Sequence, residues 1–353
     1  DIGPVIDDDA RASIEQHIET LRVRGAAVSQ PVADTIARDL THGSFVPPTL
    51  IEVAHVGELE REVFGPVLHV LRFRRDELSG LVDAINATGF GLTFGVHSRI
   101  DETIDFVTSR IHAGNVYVNR NMIGAVVGVQ PFGGEGLSGT GPKAGGPLYL
   151  RRLMKEVAQT PLAGPVDDDH PLHVLRDFVA ARAPFADLVA TCDRLAAGSP
   201  SGQSHTLPGP TGERNAYTLL PRDAVLCIAF DRGDLLMQFA TVLAAGSRLA
   251  VWLDNDASNG LLHELPSSLR ERVVIDSGLL HPFDAALIQA DDVEVATWSR
   301  RLAQRDGPIV GLQCAARGAR GPETFSIERL MAERSISVNT AAAGGNASLM
   351  TIG

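Results

Sequence analysis

Val67-Leu68-His69-Val70-Leu71-Arg72-Phe73 opens the stretch on which the fold turns. It is a run of strand-forming residues. A helix follows from residue 76 to about 87, with Leu78, Leu81, Val82 and Ile85 at helical spacing. Leu92-Thr93-Phe94-Gly95-Val96-His97 reads as the next strand, residues 101 to 111 as a helix, and Asn115-Val116-Tyr117-Val118-Asn119 as a third strand. Strands joined through helices predict an α/β sheet with both faces covered.

Working outward, residues 8 to 24 follow the acidic run Asp7-Asp8-Asp9, which suits a helix N-terminus, and carry Ile14, Ile18 and Leu21 at helical spacing up to Gly25. Residues 43 to 53 hold strand formers beside Pro47 and Pro48, which cannot donate ladder bonds, so this strand is expected at a sheet edge. From 162 to 212 Pro, Gly, Asp and Ser accumulate around a helix expected over 172 to 197, and a domain boundary is placed near 165. Beyond it, residues 224–230, 248–253, 272–275, 285–288 and 308–312 read as strands, with a helix from about 233 to 245 between the first two. That alternation predicts a second, Rossmann-like unit. The expected organisation is residues 1–165, residues 166–334 and a C-terminal tail, 335–353. The tail is expected to dock by strand addition, because Ile336 and Val338 alternate with polar neighbours and Leu349, Met350 and Ile352 are apolar.

A length of 353 residues suits two or three domains at roughly 150 residues each, and 44% hydrophobic with 21% charged residues is the composition of a folded chain. The net charge of −12 opposes nucleic acid or anionic lipid as partner. No stretch reaches the roughly 20 apolar residues of a transmembrane helix, and Asp1-Ile2-Gly3-Pro4 lacks the marks of a signal peptide. Those first residues read as mid-domain sequence, so the chain is expected to be part of something longer. Cys192, Cys227 and Cys314 have no CxxC spacing, which points to a reducing, cytoplasmic compartment, and all three are read as buried structural thiols. The 11 His form no H-x-x-x-H pair with a helix-borne carboxylate, so no metal is expected. Gly134-Glu135-Gly136-Leu137-Ser138-Gly139 matches G-x-G-x-x-G, yet it follows Pro131-Phe132 instead of a strand and runs into Thr140-Gly141-Pro142 instead of a helix. It is read as a glycine-rich loop of another kind.

Glu62-Val63-Phe64-Gly65-Pro66 and Pro131-Phe132-Gly133-Gly134-Glu135-Gly136-Leu137-Ser138-Gly139 resemble the E-x-F-G-P and P-F-G-G-x-x-x-S-G blocks of the aldehyde dehydrogenase superfamily. The extension Pro142-Lys143-Ala144-Gly145-Gly146-Pro147 resembles its Δ1-pyrroline-5-carboxylate (glutamate semialdehyde) dehydrogenase branch, as found inside the bifunctional proline utilization A flavoenzymes. Residues 337–353 resemble the C-terminal signature of those same enzymes. The resemblance implies an α/β chain made of the C-terminal part of an aldehyde dehydrogenase catalytic domain followed by a degenerate Rossmann-like domain. It further implies that Glu62 accepts hydrogen bonds from the nicotinamide ribose of NAD while Phe64 packs against that end of the cofactor. Phe132 then lines the aldehyde pocket, and Gly145 and Gly146 hold the substrate's α-carboxylate through backbone N–H groups.

The family's nucleophilic Cys, general-base Glu and oxyanion Asn match no residue here. No catalytic residue is therefore expected in this chain, and all three are placed upstream, as is a proline dehydrogenase domain with its FAD. In the second unit, Asp231-Arg232-Gly233-Asp234 stands where the family has a P-W-N-F-P-like turn, and Trp252-Leu253 replaces Lys-Pro, so that cofactor motif is expected to be broken. The leading reading is part of a bifunctional proline catabolic enzyme, contributing to NAD-dependent oxidation of glutamate semialdehyde. Its expected partners are that small-molecule substrate, the upstream remainder of the same enzyme and further copies in a homo-oligomer. Alone, the chain is expected to be inactive. The alternative is a non-catalytic scaffold or assembly protein built from a truncated dehydrogenase half.

Overall fold

The computed structural model describes residues 2–31, 43–154, 164–321 and 323–341. Contacts divide the chain into two compact units, Asp1–Thr88 and Gly89–Gly353.

In the first unit, α1 (Asp8–Val23) is capped by Asp7, whose carboxylate accepts the Ala10 N–H at 2.7 Å, and the chain leaves it through Gly25 at φ +93°. Its Ile14, Ile18 and Leu21 share a core with Ile51 and Val53. Strands β1 (Ala27–Ser29), β2 (Thr49–Val53) and β3 (Val67–Leu71) lie in that order, β2 antiparallel to β1 and parallel to β3. The strand expected at an edge is therefore the central one. Pro47 and Pro48 precede Thr49, the first strand residue, so they remove nothing from the ladder. Helix α2 (Leu78–Ala87) follows.

The second unit begins with β4 (Phe90–Gly91), β5 (Thr93–Val96), α3 (Asp101–Arg110), β6 (Asn115–Val118), β7 (Glu135–Gly136) and α4 (Pro147–Leu153). Where one helix was expected over 172–197 there are two, α5 (Pro171–Ala180) and α6 (Leu188–Ala197). Pro184, in a 3-10 turn between them, has no N–H to continue a helix. Next come β8 (Ser204–Leu207) and β9 (Glu213–Pro221), then β10 (Ala224–Ile228), α7 (Arg232–Ala244), β11 (Leu249–Leu253), α8 (Asp256–Glu264) and α9 (Ser267–Arg270). The alternation continues through β12 (Val273–Asp276), β13 (Ala285–Gln289), α10 (Asp292–Ala303) and β14 (Gly311–Ala315).

These strands form a parallel sheet in the order β12-β11-β10-β13-β14. Strands β10 and β13 are apolar almost throughout because both their faces are covered, one by a core containing Leu235, Phe239 and Trp252, the other by a core containing Trp298 and Leu302. Cys192 and Cys227 are buried as expected, but Cys314 is exposed. It sits on β14, the edge strand, which has a neighbouring strand on one side only among the described residues.

A second sheet runs β5-β6-β15-β9-β8, where β15 is Met331–Asn339. Strand β15 pairs in parallel with β6, Ser335 opposite Asn115 through Val338 opposite Val118, and antiparallel with β9 from Met331 opposite Pro221 to Asn339 opposite Glu213. Arg334 of β15 donates to the carbonyls of Thr108 at 3.3 Å and Ile111 at 2.9 Å, capping the end of α3. Leu349, Met350 and Ile352 lie outside the described residues. Among the described residues no helix is long and apolar enough to cross a membrane.

Candidate functional site

Strands β6, β15 and β9 place polar residues at alternate positions of one sheet face, and the glycine-rich loop 130–146 is fastened to them. Asn115 of β6 donates to the Pro131 carbonyl at 3.0 Å, and its Oδ1 accepts the Gly133 N–H at 3.1 Å and Lys143 Nζ at 2.8 Å. Lys143, only 2% exposed, also donates to the Gly133 carbonyl. Glu333 of β15 accepts the Lys143 backbone N–H at 2.7 Å and the Tyr217 hydroxyl at 2.6 Å, and Ser335 Oγ donates to the Pro131 carbonyl at 2.9 Å. The two limbs of the loop are joined by a bridge between Phe132 and Ala144, with N–H to carbonyl distances of 3.0 and 2.8 Å.

At the entry to the loop, Gln130 donates to Glu213 at 2.6 Å and accepts the Val126 N–H at 2.9 Å. Arg120 pairs with the same Glu213 and donates to Ser337 Oγ at 2.8 Å. Burial pushes the Lys143 amine down to about 8, with Glu333 and Glu135 pulling it back up. Two of the three N–H donors of this buried ammonium are met, by Asn115 Oδ1 and the Gly133 carbonyl, which offsets part of the cost of burying it.

This network brings three of the expected residues onto one loop. Phe132 is half-buried at its start. Gly145 is exposed with φ +67°, a conformation that favours glycine, and its N–H has no partner among the described residues. The Gly146 N–H closes a turn on the Lys143 carbonyl at 3.0 Å. Glu62 and Phe64 lie in the first unit on the turn before β3, both exposed, Phe64 at 86%. Lys143, Glu333, Tyr217 and Asn115 escaped the sequence reading. A lysine inside a glycine-rich block was the one local signal; nothing local marks Glu333, 190 residues away.

Within the parallel sheet, the strand order reverses between β10 and β13, and the crevice beyond their carboxyl ends is where such folds take a nucleotide. Here the first turn of α7 is covered. Asp231 caps it by accepting the Asp234 N–H at 2.9 Å, and fully buried Asp234 accepts the Gly318 N–H at 2.9 and 3.1 Å. Arg320 lies 3.5 Å from Asp231 and 3.9 Å from Asp234, so close that a Cβ at Gly233 would fall 1.8 Å from its guanidinium. Burial first, then the Asp231 carboxyl, push Asp234 up to about 6. The chain's own carboxylates thus hold the helix terminus that would otherwise receive a pyrophosphate. Trp252, at the expected cofactor-lysine position, is fully buried edge-on to Phe239, with ring centroids 5.4 Å apart.

Burial pushes the Cys192 thiol up to about 12 and also raises Cys227 and Cys314. None is poised as a thiolate. Among the described residues no group of three or more His, Cys, Asp or Glu is arranged to hold a metal.

Comparison with known proteins adds to this geometry. Residues 1–157 match the aldehyde dehydrogenase family. Over its whole length the chain is 51% identical to the bifunctional protein PutA of Escherichia coli (strain K12), of which it spans 28%. The 1-pyrroline-5-carboxylate dehydrogenase of Geobacillus kaustophilus (strain HTA426) is 36% identical over 42% of this chain and 28% of its own length. The structure of Proline Utilization A (PutA) from Corynebacterium freiburgense superposes on 93% of this chain and 31% of its own, with a TM-score of 0.63 at 19% identity, and so has the same fold.

Proposed function

We propose, for a chain whose residues 1–157 match the aldehyde dehydrogenase family and whose whole length aligns with the C-terminal part of bifunctional PutA proteins, that it forms part of an NAD-dependent glutamate semialdehyde dehydrogenase within a proline catabolic enzyme. The observation that carries this reading is 51% identity over an alignment that covers the whole chain, and with it both compact units. In this reading the complete enzyme is cytoplasmic and homo-oligomeric. It takes its nucleophile, and the FAD of its proline-oxidising step, from segments outside this chain.

The residues present fit a nicotinamide cofactor. Glu62 is exposed and makes no ion pair or hydrogen bond among the described residues, so both its oxygens are free to accept from vicinal hydroxyls. Phe64 offers a bare ring on the same turn. NAD, when bound, supplies the hydride acceptor. On the loop, Phe132 bounds the aldehyde's path and the Gly145 N–H meets the substrate's carboxylate, while the Gly146 N–H fixes the turn that presents it. Lys143 and Glu333 hold both limbs in place. For residues 166–334 we infer a covering or scaffolding role, supported by the closed crevice.

Glu62→Ala in the complete enzyme tests the cofactor assignment. Losing an acceptor for buried sugar hydroxyls costs about 1–3 kcal/mol, so NAD should bind roughly five- to 150-fold more weakly while flavin-dependent proline oxidation is unchanged. A rate that depends on NAD as before would remove Glu62 from the site.

A further inference from the structure

Four arginines, Arg152, Arg222, Arg305 and Arg329, line one cavity of about 240 Å³ in the second unit. Among the described residues none of their guanidinium groups meets a carboxylate or makes a hydrogen bond; Arg305 lies over the Phe283 ring, 3.9 Å from its centroid, and Arg222 Nε is buried without a partner. Neighbouring arginines are paired, Arg151 with Glu328 at 3.0 Å and Arg248 with Asp223 at 2.8 Å, so the four stand out in a chain of net charge −12. Asp284 and Asp306 also line the cavity, leaving four positive charges against two negative. Burial, and then the charges of Arg329 and Arg222, push the Arg152 guanidinium down, with Glu333 and Glu328 opposing. Four like charges that two carboxylates only half offset are costly unless something else neutralises them.

The cavity's other wall is the G-x-G-x-x-G loop. Gly136, Gly139 and Thr140 line it, and the backbone N–H groups of Gly139 and Thr140 have no partner among the described residues. No helix follows this loop before Pro147, so the arginines provide the positive potential that a helix terminus gives in dinucleotide-binding folds. Guanidinium forks match phosphate oxygens in pairs, and four of them exceed what a single carboxylate can engage. The volume lies below the roughly 300–1,000 Å³ of drug-sized sites, which limits the ligand to a compact one.

We infer that this cavity is a binding site for a small phosphate-bearing anion, held by the four arginines that lack an ion pair and by the glycine-rich loop. The probe is inorganic pyrophosphate, titrated calorimetrically into the complete enzyme at constant ionic strength with saturating NAD. Saturation at one equivalent per chain is expected. Arg222→Gln should weaken binding about tenfold or more, and so should the double variant Arg152→Gln/Arg329→Gln, whose side chains are exposed and whose loss the fold tolerates. Arg194→Gln, on the exposed face of α6, should leave it unchanged. No saturation at millimolar pyrophosphate, or equal affinity in all variants, overturns the site. Tricarballylate binding as tightly as pyrophosphate overturns the phosphate assignment.

Discussion

Mixed with NAD and glutamate semialdehyde, the 353-residue chain by itself is expected to form no NADH above the enzyme-free rate, against full turnover from the complete enzyme. Aldehyde oxidation by this family's chemistry needs a thiolate to add to the carbonyl, and losing the nucleophile of such a catalytic unit costs on the order of a millionfold in kcat. Cys192 and Cys227 are buried in the apolar core around α5, α6 and α7, and burial raises the thiols of all three cysteines. Cys314 alone is exposed, on the edge strand β14. The measurement is therefore NADH formation by the chain and by its Cys314→Ser variant. Turnover from the former that vanishes in the latter would place a nucleophile inside this chain and overturn the proposal.

Lys143→Met should produce the second large effect. Methionine keeps the apolar stem but leaves the Gly133 carbonyl without its donor and Asn115 Oδ1 with the Gly133 N–H alone. Unsatisfied buried groups cost about 1–3 kcal/mol each, so a loss of about 2–4 kcal/mol follows. For a unit of this size that corresponds to a Tm lower by roughly 4–16 °C. The loop limb carrying Phe132 and Gly133 also loses its side-chain tether to the limb carrying Gly145, leaving the backbone bridge between Phe132 and Ala144. A displacement of about 1 Å there is enough to lower dehydrogenase activity about a hundredfold.

The pH dependence gives an independent reading. Lys143 titrates near 8 in the folded state, below the roughly 10.4 of an unfolded lysine, so the native state releases this proton first. Its contribution to stability rises with pH between those two values, and the Met variant should lack that rise. Unchanged melting and unchanged activity together would make the network incidental.

The α/β character was legible because helical and strand periodicities alternate cleanly between residues 67 and 119, and the runs that became β10, β11 and β13 are apolar enough to be read as doubly covered strands. Residues 49–53 were placed at an edge because proline chemistry is local, whereas a strand's rank in a sheet depends on chain that returns from elsewhere. Strand β9 went unread for a related reason: its polar residues Glu213 and Asn215 have meaning only beside Gln130 and Arg120. For the site, Glu62, Phe64, Phe132, Gly145 and Gly146 came from short motifs that sequence displays directly. Lys143 and its partners Asn115 and Glu333 came from three separate stretches, and only the fold shows that one buried ammonium needs them all.

Strand β15 has a consequence for biosynthesis. It lies between β6 and β9, and the hydrogen bond from Asn339 to Asn119 spans 220 residues of chain. At roughly 5–20 residues per second, a ribosome needs roughly 10–45 s after releasing β6 to deliver the strand that will sit beside it. Through that interval one ladder edge of β6 is open to foreign strands, with the aggregation hazard such edges bring. Translation past residue 339 is thus the event that closes the sheet, and a message truncated before it would yield a nascent chain exposing a ready template to chaperones, proteases or its own kind.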